Sequence, residues 1–195
     1  ELRNDLDGQW APFDPDTDYP RYVDGKPRLD GVRSFLEARG LDRPEGSPDD
    51  PPGKATVHGL GKRKNEIFLE RLERHGVEVY ENALVLVRSL KERGFKTAVV
   101  SSSKNCRAVL EAAGASDPFD VRVDGVVSQE LGLAGKPAPD IFLEAARRLK
   151  VRPERAVVLE DALSGVEAGR RGEFGLVIGV DSTGHASDLL EAGAH

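Results

Sequence analysis

From residue 95 onward the chain alternates short β-branched runs with helical stretches, a rhythm that few folds accept. FKTAVV at 95–100, the run Val121–Val127, AVVLE at 156–160 and GLVIGV at 175–180 read as buried strands. Helical patterns cover 83–93 and 104–113, start again at the Pro-Ala-Pro-Asp segment at 137–140, and return at 162–171 and 186–192. Apolar strands alternating with helices mean βαβ units, and hence a parallel sheet covered on both faces. Such a sheet holds ligands at the carboxyl ends of its strands. The chemistry is therefore expected just after residues 100, 127, 160 and 180.

The first half reads differently. APFDPDTDYP at 11–20 is a Pro- and Asp-rich lead-in. Asp30 can cap a helix that carries Val32, Phe35 and Leu36 and stops at Gly40. A second helix runs from about Leu60 to His75, with Ile67, Phe68 and Leu72 on one stripe and Gly76 ending it. DRPEGSPDDPPG at 42–53 joins the two as a loop. The expected organisation is a lead-in at 1–18, a helical domain at 19–81 and an α/β core, Rossmann-like, at 82–195.

Composition narrows the setting. One cysteine among 195 residues excludes a disulfide framework and a cysteine-ligated metal, which points to a reducing, cytoplasmic environment. The net charge of −6, with 34 acidic against 28 basic residues, argues against a nucleic-acid partner. No apolar run approaches the roughly 20 residues of a membrane helix, so no membrane partner is expected. The sequence contains no Met, so either an initiator Met was removed or the sequence begins inside a longer polypeptide.

The strand ends carry the chemically informative residues. Ser101, Ser102, Ser103, Lys104 and Asn105 follow Val100 and lead into a helix. Hydroxyls and backbone amides placed there suit a phosphate, although a serine-rich helix cap has the same letters. Glu160 and Asp161 end the AVVLE strand. Two adjacent anions repel unless a cation separates them, and Mg²⁺ prefers such oxygens; a helix cap is again the plainer alternative. Lys136, just before Pro137, is a loop cation that on its own reads as a solvated charge. Together and in this order, the three read as phosphate anchor, neutralising cation and metal ligands. Cys106 reads as packing, and His58, His75, His185 and His195 lack metal-ligand spacing. Lys62, Arg63 and Lys64 form a basic cluster on a helix.

The ordered segments VVSSSKN, GKPAPDIF and VLEDALSGVEAG resemble motifs II, III and IV of the haloacid dehalogenase-like phosphotransferases, with β-phosphoglucomutase-type enzymes the nearest likeness. GKPRLDGVRSFL at 25–36 and GKRKNEIF at 61–68 are similar to that type's cap segments. The likeness implies a Rossmann-like core with an α-helical cap, Mg²⁺ as cofactor and a phosphosugar substrate. It implies that Ser101 and Lys136 are catalytic and that Glu160 and Asp161 hold the metal. It further implies substrate contacts from Arg28, Lys64, Ser102, Ser103, Lys104 and Asn105. FDPDTDYPRYVDGKPR also resembles domains fused to, or encoded beside, disaccharide-processing enzymes, which implies a larger carbohydrate-processing polypeptide.

The same resemblance requires an attacking aspartate in an Asp-x-Asp-Gly motif that ends a buried strand. Asp5-Leu6-Asp7-Gly8 has the letters, but ELRN before it cannot form a strand buried on both faces. Only 20 residues separate Asp7 from Arg28, too few for the family's intervening elements. Asp5 and Asp7 are therefore read as a turn. The attacking aspartate is expected upstream of residue 1, the sheet is expected to lack its first strand, and residues 1–195 alone are expected to be silent. Phosphosugar transfer of the mutase kind is the leading reading. A phosphosugar phosphatase is one alternative, and a non-catalytic sugar-phosphate-binding or structural module of a larger carbohydrate enzyme is another.

Overall fold

The computed structural model describes residues 12–115, 118–181, 184 and 186–195. They form two compact units. The first holds the chain up to Asp24 together with Arg28–His75, and the second holds Gly25–Pro27 with Gly76–His195. Asp5, Asp7 and His185 lie outside the described residues.

In the first unit, a single π-helical turn at Tyr19–Val23 precedes helices α1 (Arg28–Ala38) and α2 (Val57–His75). The lead-in is tied down despite its composition. Asp18 is buried and pairs with Arg39, whose guanidinium lies 5.0 Å over the Phe35 ring. Phe13 meets the same ring edge-on at 5.3 Å. Asp30 is not the cap of α1. It sits in the first turn and pairs with Arg33 at 2.5 Å; the helix starts at Arg28, two residues before Asp30. Gly40, with φ +62°, ends it as its sequence position suggests.

The start of α2 is also earlier than periodicity indicates, because Thr56 Oγ1 accepts the Gly59 amide at 3.0 Å. Thr56 belongs to a loop organised by one carboxylate. Buried Asp50 accepts from Ser47 N (3.1 Å), Lys54 Nζ (2.6 Å) and Thr56 Oγ1 (2.8 Å). Those bonds, the Lys54 one foremost, hold the Asp50 pKa down at about 2.

The second unit runs α3 (Glu81–Glu92), β1 (Ala98–Val100), α4 (Cys106–Ala112), β2 (Val121–Val123), α5 (Gly125–Leu131) and α6 (Asp140–Leu149). It continues with a 3₁₀ turn at Pro153–Arg155, β3 (Val157–Glu160), α7 (Leu163–Arg171), β4 (Leu176–Gly179) and α8 (Ala186–Glu191). All pairing is parallel. β1 joins β2 with Val99 opposite Arg122, and β3 joins β4 with Leu159 opposite Ile178. Val123, Val158 and Val177 from three of these strands pack with Ile141, Phe142 and Val166 from α6 and α7 into one core. The expected α/β architecture is thus present, with the strands short.

Two features depart from the sequence reading. β2 stops at Val123 instead of running to Val127, because Asp124, 2% exposed, turns the chain into a helix. Its carboxylate accepts the Val126 and Val127 amides at 3.0 and 3.1 Å and pairs with Arg122 at 2.9 Å. In addition, the described strands form two separate pairs, β1–β2 and β3–β4, and not one sheet. Val157 and Leu159 are 52% and 48% exposed, whereas Val158 between them is buried. One face of β3 is therefore covered and the other is not, among the described residues.

Candidate active site

At the carboxyl end of β3, Glu160 meets a buried cation from the loop before α6. Lys136 is 6% exposed, and its ammonium donates to Glu160 Oε2 at 2.8 Å. It also lies 4.8 Å over the ring of Phe142, so a core aromatic and a carboxylate locate it jointly. Burial pushes the Glu160 pKa up; Lys136 opposes that shift, and the neighbouring Asp161 charge adds to it. The Glu160 carboxylate rests on the first turn of α7, where a Cβ on Gly165 would overlap it and where the Ala162 amide points to Oε1 at 3.4 Å. Gly165 is thus a steric requirement for Glu160. Asp161 is exposed.

The carboxyl end of β1 carries the serine run. Ser101 N donates to Val123 O (3.0 Å), which holds the loop to β2, and Gly125 N donates to Ser103 O (3.1 Å), which holds it to α5. Ser101 Oγ accepts the Ser103 amide at 3.2 Å, and Ser103 Oγ accepts the Asn105 amide at 3.1 Å. Ser103 therefore serves the turn into α4, the plainer of its two sequence readings. Ser102 Oγ donates to Gly25 O at 2.6 Å, and Lys104 Nζ donates to Gln129 Oε1. A hydroxyl has one proton to give, so Ser102 has none left for a phosphoryl oxygen in this arrangement. Cys106 is buried, its thiol pKa raised first by desolvation, in keeping with a packing role.

Arg28 and Lys64 lie together in the first unit. Arg28 donates through Nη2 to Asn65 Oδ1 at 2.6 Å. The Lys64 ammonium is 5.9 Å from the Tyr19 ring centre. Desolvation lowers the pKa of both, and for Lys64 the Arg28 charge adds to the effect while Asp24 opposes it. Two cations held this close fit a dianionic group. Beside them lies a cavity of about 390 Å³, lined by apolar side chains such as Phe13, Val32 and Leu60 and touched by Lys64.

The sequence residues thus fall into three groups: Lys136 with Glu160 and Asp161, the Ser101–Asn105 loop, and Arg28 with Lys64. Asn65, Phe142, Gly165, Asp124 and Gly25 were not anticipated. Asp124-Gly125 after an apolar run is a helix-start signature that could have been read. The others act through tertiary contacts that spacing does not encode. Among the described residues, no group of three or more His, Cys, Asp or Glu side chains could hold a metal, and no helix is long and apolar enough to cross a membrane.

Comparison with known proteins gives consistent relatives. A family model described as haloacid dehalogenase-like hydrolase matches residues 5–172. A β-phosphoglucomutase of Mycobacterium bovis is 48% identical over 187 residues, which cover 96% of this chain and 71% of that protein. A phosphorylated carbohydrates phosphatase of Thermotoga maritima is 34% identical over 185 residues, 91% of this chain and 76% of that protein. Among solved structures, CbbY of Rhodobacter sphaeroides in complex with phosphate superposes with a TM-score of 0.65 at 26% identity, covering 90% of this chain and 74% of that one.

Proposed function

The chain belongs to the haloacid dehalogenase-like hydrolases as a β-phosphoglucomutase-type member, and from that premise we propose that the protein carries out Mg²⁺-dependent phosphoryl transfer on a phosphosugar. The observation that carries this reading is the buried Lys136 ammonium 2.8 Å from Glu160 at the end of β3. A buried cation there, with carboxylates beside it and a hydroxyl loop at the end of β1, suits a group that arrives with several negative charges.

The donor set fits Mg²⁺. Glu160 and Asp161 are adjacent carboxylates, and the raised Glu160 pKa reflects a burial cost that a cation would offset. Mg²⁺ is commonly bound through one or two carboxylates while it keeps several waters, so no larger cluster is needed. When bound, the ion would supply positive charge to the transferring phosphoryl group. Lys136 would neutralise charge on the phosphoryl oxygens and on the attacking carboxylate. Ser101 would donate its hydroxyl proton to one phosphoryl oxygen, and Arg28 with Lys64 would take the distal phosphate. The attacking carboxylate lies, in this reading, outside the described residues. Its oxygen bonds to phosphorus as the bond from phosphorus to the leaving sugar oxygen breaks, and a second aspartate returns a proton to that oxygen.

The identity to the Thermotoga maritima phosphatase favours a second reading, hydrolysis of the same class of substrate. The two differ only in whether a sugar hydroxyl or water accepts the phosphoryl group. Assay of the protein with β-glucose 1-phosphate and Mg²⁺ separates them. Glucose 6-phosphate is the expected product; release of inorganic phosphate without isomerisation would establish the phosphatase instead, and no reaction with any phosphosugar would overturn both.

A further inference from the structure

Arg28 is the first residue of α1, where the helix macrodipole disfavours a cation. The Lys64 charge on α2 adds to that cost, because the two cations repel. Asp24 offsets part of the Lys64 charge. Among the described residues no carboxylate pairs with Arg28; its guanidinium donates instead to a neutral amide oxygen, Asn65 Oδ1, at 2.6 Å. Other arginines of the same unit have carboxylate partners: Arg33 pairs with Asp30 and Glu45, and Arg39 with Asp18.

The Arg28 side chain is nonetheless closely seated. Gly61 lies one helical turn before Asn65, so the two share the face of α2 that meets the start of α1. A Cβ built on Gly61 would overlap Leu29 Cδ2 at 2.6 Å and touch Arg28 Cδ at 3.8 Å. Gly61 thus admits the start of α1, and Asn65 fixes the Arg28 head. If the contact served only to tie two helices, a carboxylate would do it better. Aspartate has the size of asparagine, and hydrogen bonds between charged partners are about twice as strong as neutral ones. Aspartate would also cancel the Arg28 charge, which asparagine leaves in place.

We propose that Asn65 is a positioning residue that sets ligand specificity: its neutral amide fixes the Arg28 guanidinium, so that Arg28 with Lys64 beside it presents uncancelled positive charge to a phosphate dianion. A carboxylate at position 65 would hold the guanidinium equally well and turn such a dianion away. The cost of two unneutralised cations at a helix start is then repaid when the anion binds. This assignment rests on the phosphosugar reading for the class of ligand, but it can be tested without turnover.

The test is titration of the 195-residue chain with inorganic phosphate at pH 8, where phosphate is largely dianionic, followed through the backbone amide shifts of residues 28–30 and 61–65. Urea denaturation of the same samples gives stability. The parent is expected to show shifts in these residues that saturate. Asn65→Asp is expected to bind phosphate at least about tenfold more weakly, as one opposing charge at close range requires, with a urea midpoint no lower than the parent's. Asn65→Ala keeps the charge and loses only the fixed orientation, so its affinity should fall between the two. A purely structural tie gives the opposite order, with Asn65→Asp like the parent and Asn65→Ala the weakest. That order, a lower midpoint in Asn65→Asp, or no shift in these residues of the parent would overturn the proposal. If the protein transfers no phosphoryl group while the expected order holds, the phosphosugar reading fails and the role of Asn65 stands. Turnover together with unchanged phosphate binding in Asn65→Asp would sink the role of Asn65 alone.

Discussion

Replacing Lys136 by methionine removes the charge but keeps an apolar stem of similar length against Phe142. The side chains of Lys136 and Glu160 are only 4% and 10% exposed, so the change strands a buried carboxylate. Breaking such a pair from one side costs about 3–5 kcal/mol, mostly because the remaining charge stays desolvated. For a chain of this size that corresponds to a fall in Tm of about 10 °C. The loss also depends on pH, with a definite sign. Burial already raises the Glu160 pKa above its ordinary 4.5, and Lys136 holds part of that shift back. Without Lys136 the folded-state pKa climbs further. Between about 4.5 and that raised value the folded chain holds a proton that the unfolded chain has released, so stability falls as pH rises. Urea denaturation at pH 5 and pH 8 measures this directly. Lys136→Met is expected to be much less stable than the parent at pH 8 and closer to it at pH 5. Adding Glu160→Gln should restore most of the loss at pH 8. A deficit that is equal at both pH values, or absent, would refute the reasoning.

Further expectations follow from single contacts. Gly125→Ala should displace the serine loop, since the added methyl meets backbone atoms at 2.6 and 2.8 Å; we expect about 1–3 kcal/mol of destabilisation in urea, and an unchanged midpoint would contradict it. Asp50, held at about 2, stabilises its loop above the unfolded value near 3.8 and loses that contribution as pH falls from there through 2. Exchange at the Ser47 and Gly59 amides should therefore stay slow, after correction for intrinsic rates, down to about pH 4 and quicken below it. Asp50→Asn should exchange fast throughout.

Much of this molecule was legible from local pattern. The glycines at 40, 76, 94 and 114 all have positive φ and all follow helices, as stop signals should. The strand positions of the second unit and the residues at their carboxyl ends follow from apolar runs and their punctuation. The failures are equally physical. Val126 and Val127 have strand letters but lie in a helix, because Asp124 offers its carboxylate to their amides. Asp30 has a cap's letter but follows a helix start set two residues earlier. The 42–53 loop has the composition of a loose linker, yet Asp50 collects three hydrogen bonds that join residues up to six apart. In the site, residue types announced Lys136 and Glu160. Nothing in the spacing announced that Phe142 would face the ammonium, that Gly165 would make room for the carboxylate, or that Ser102 would turn to Gly25.

The proposed function requires that the strand ends of the second unit bind phosphate and Mg²⁺ together. Titration of the 195-residue chain with inorganic phosphate, followed by ³¹P line width with and without Mg²⁺, tests it most directly. The expected result is phosphate binding that Mg²⁺ strengthens, weakened about tenfold in Ser101→Ala and made insensitive to Mg²⁺ in Asp161→Asn, whose exposed side chain can change without unfolding the chain. Phosphate binding that is absent, or that is the same in parent and both variants, would contradict it.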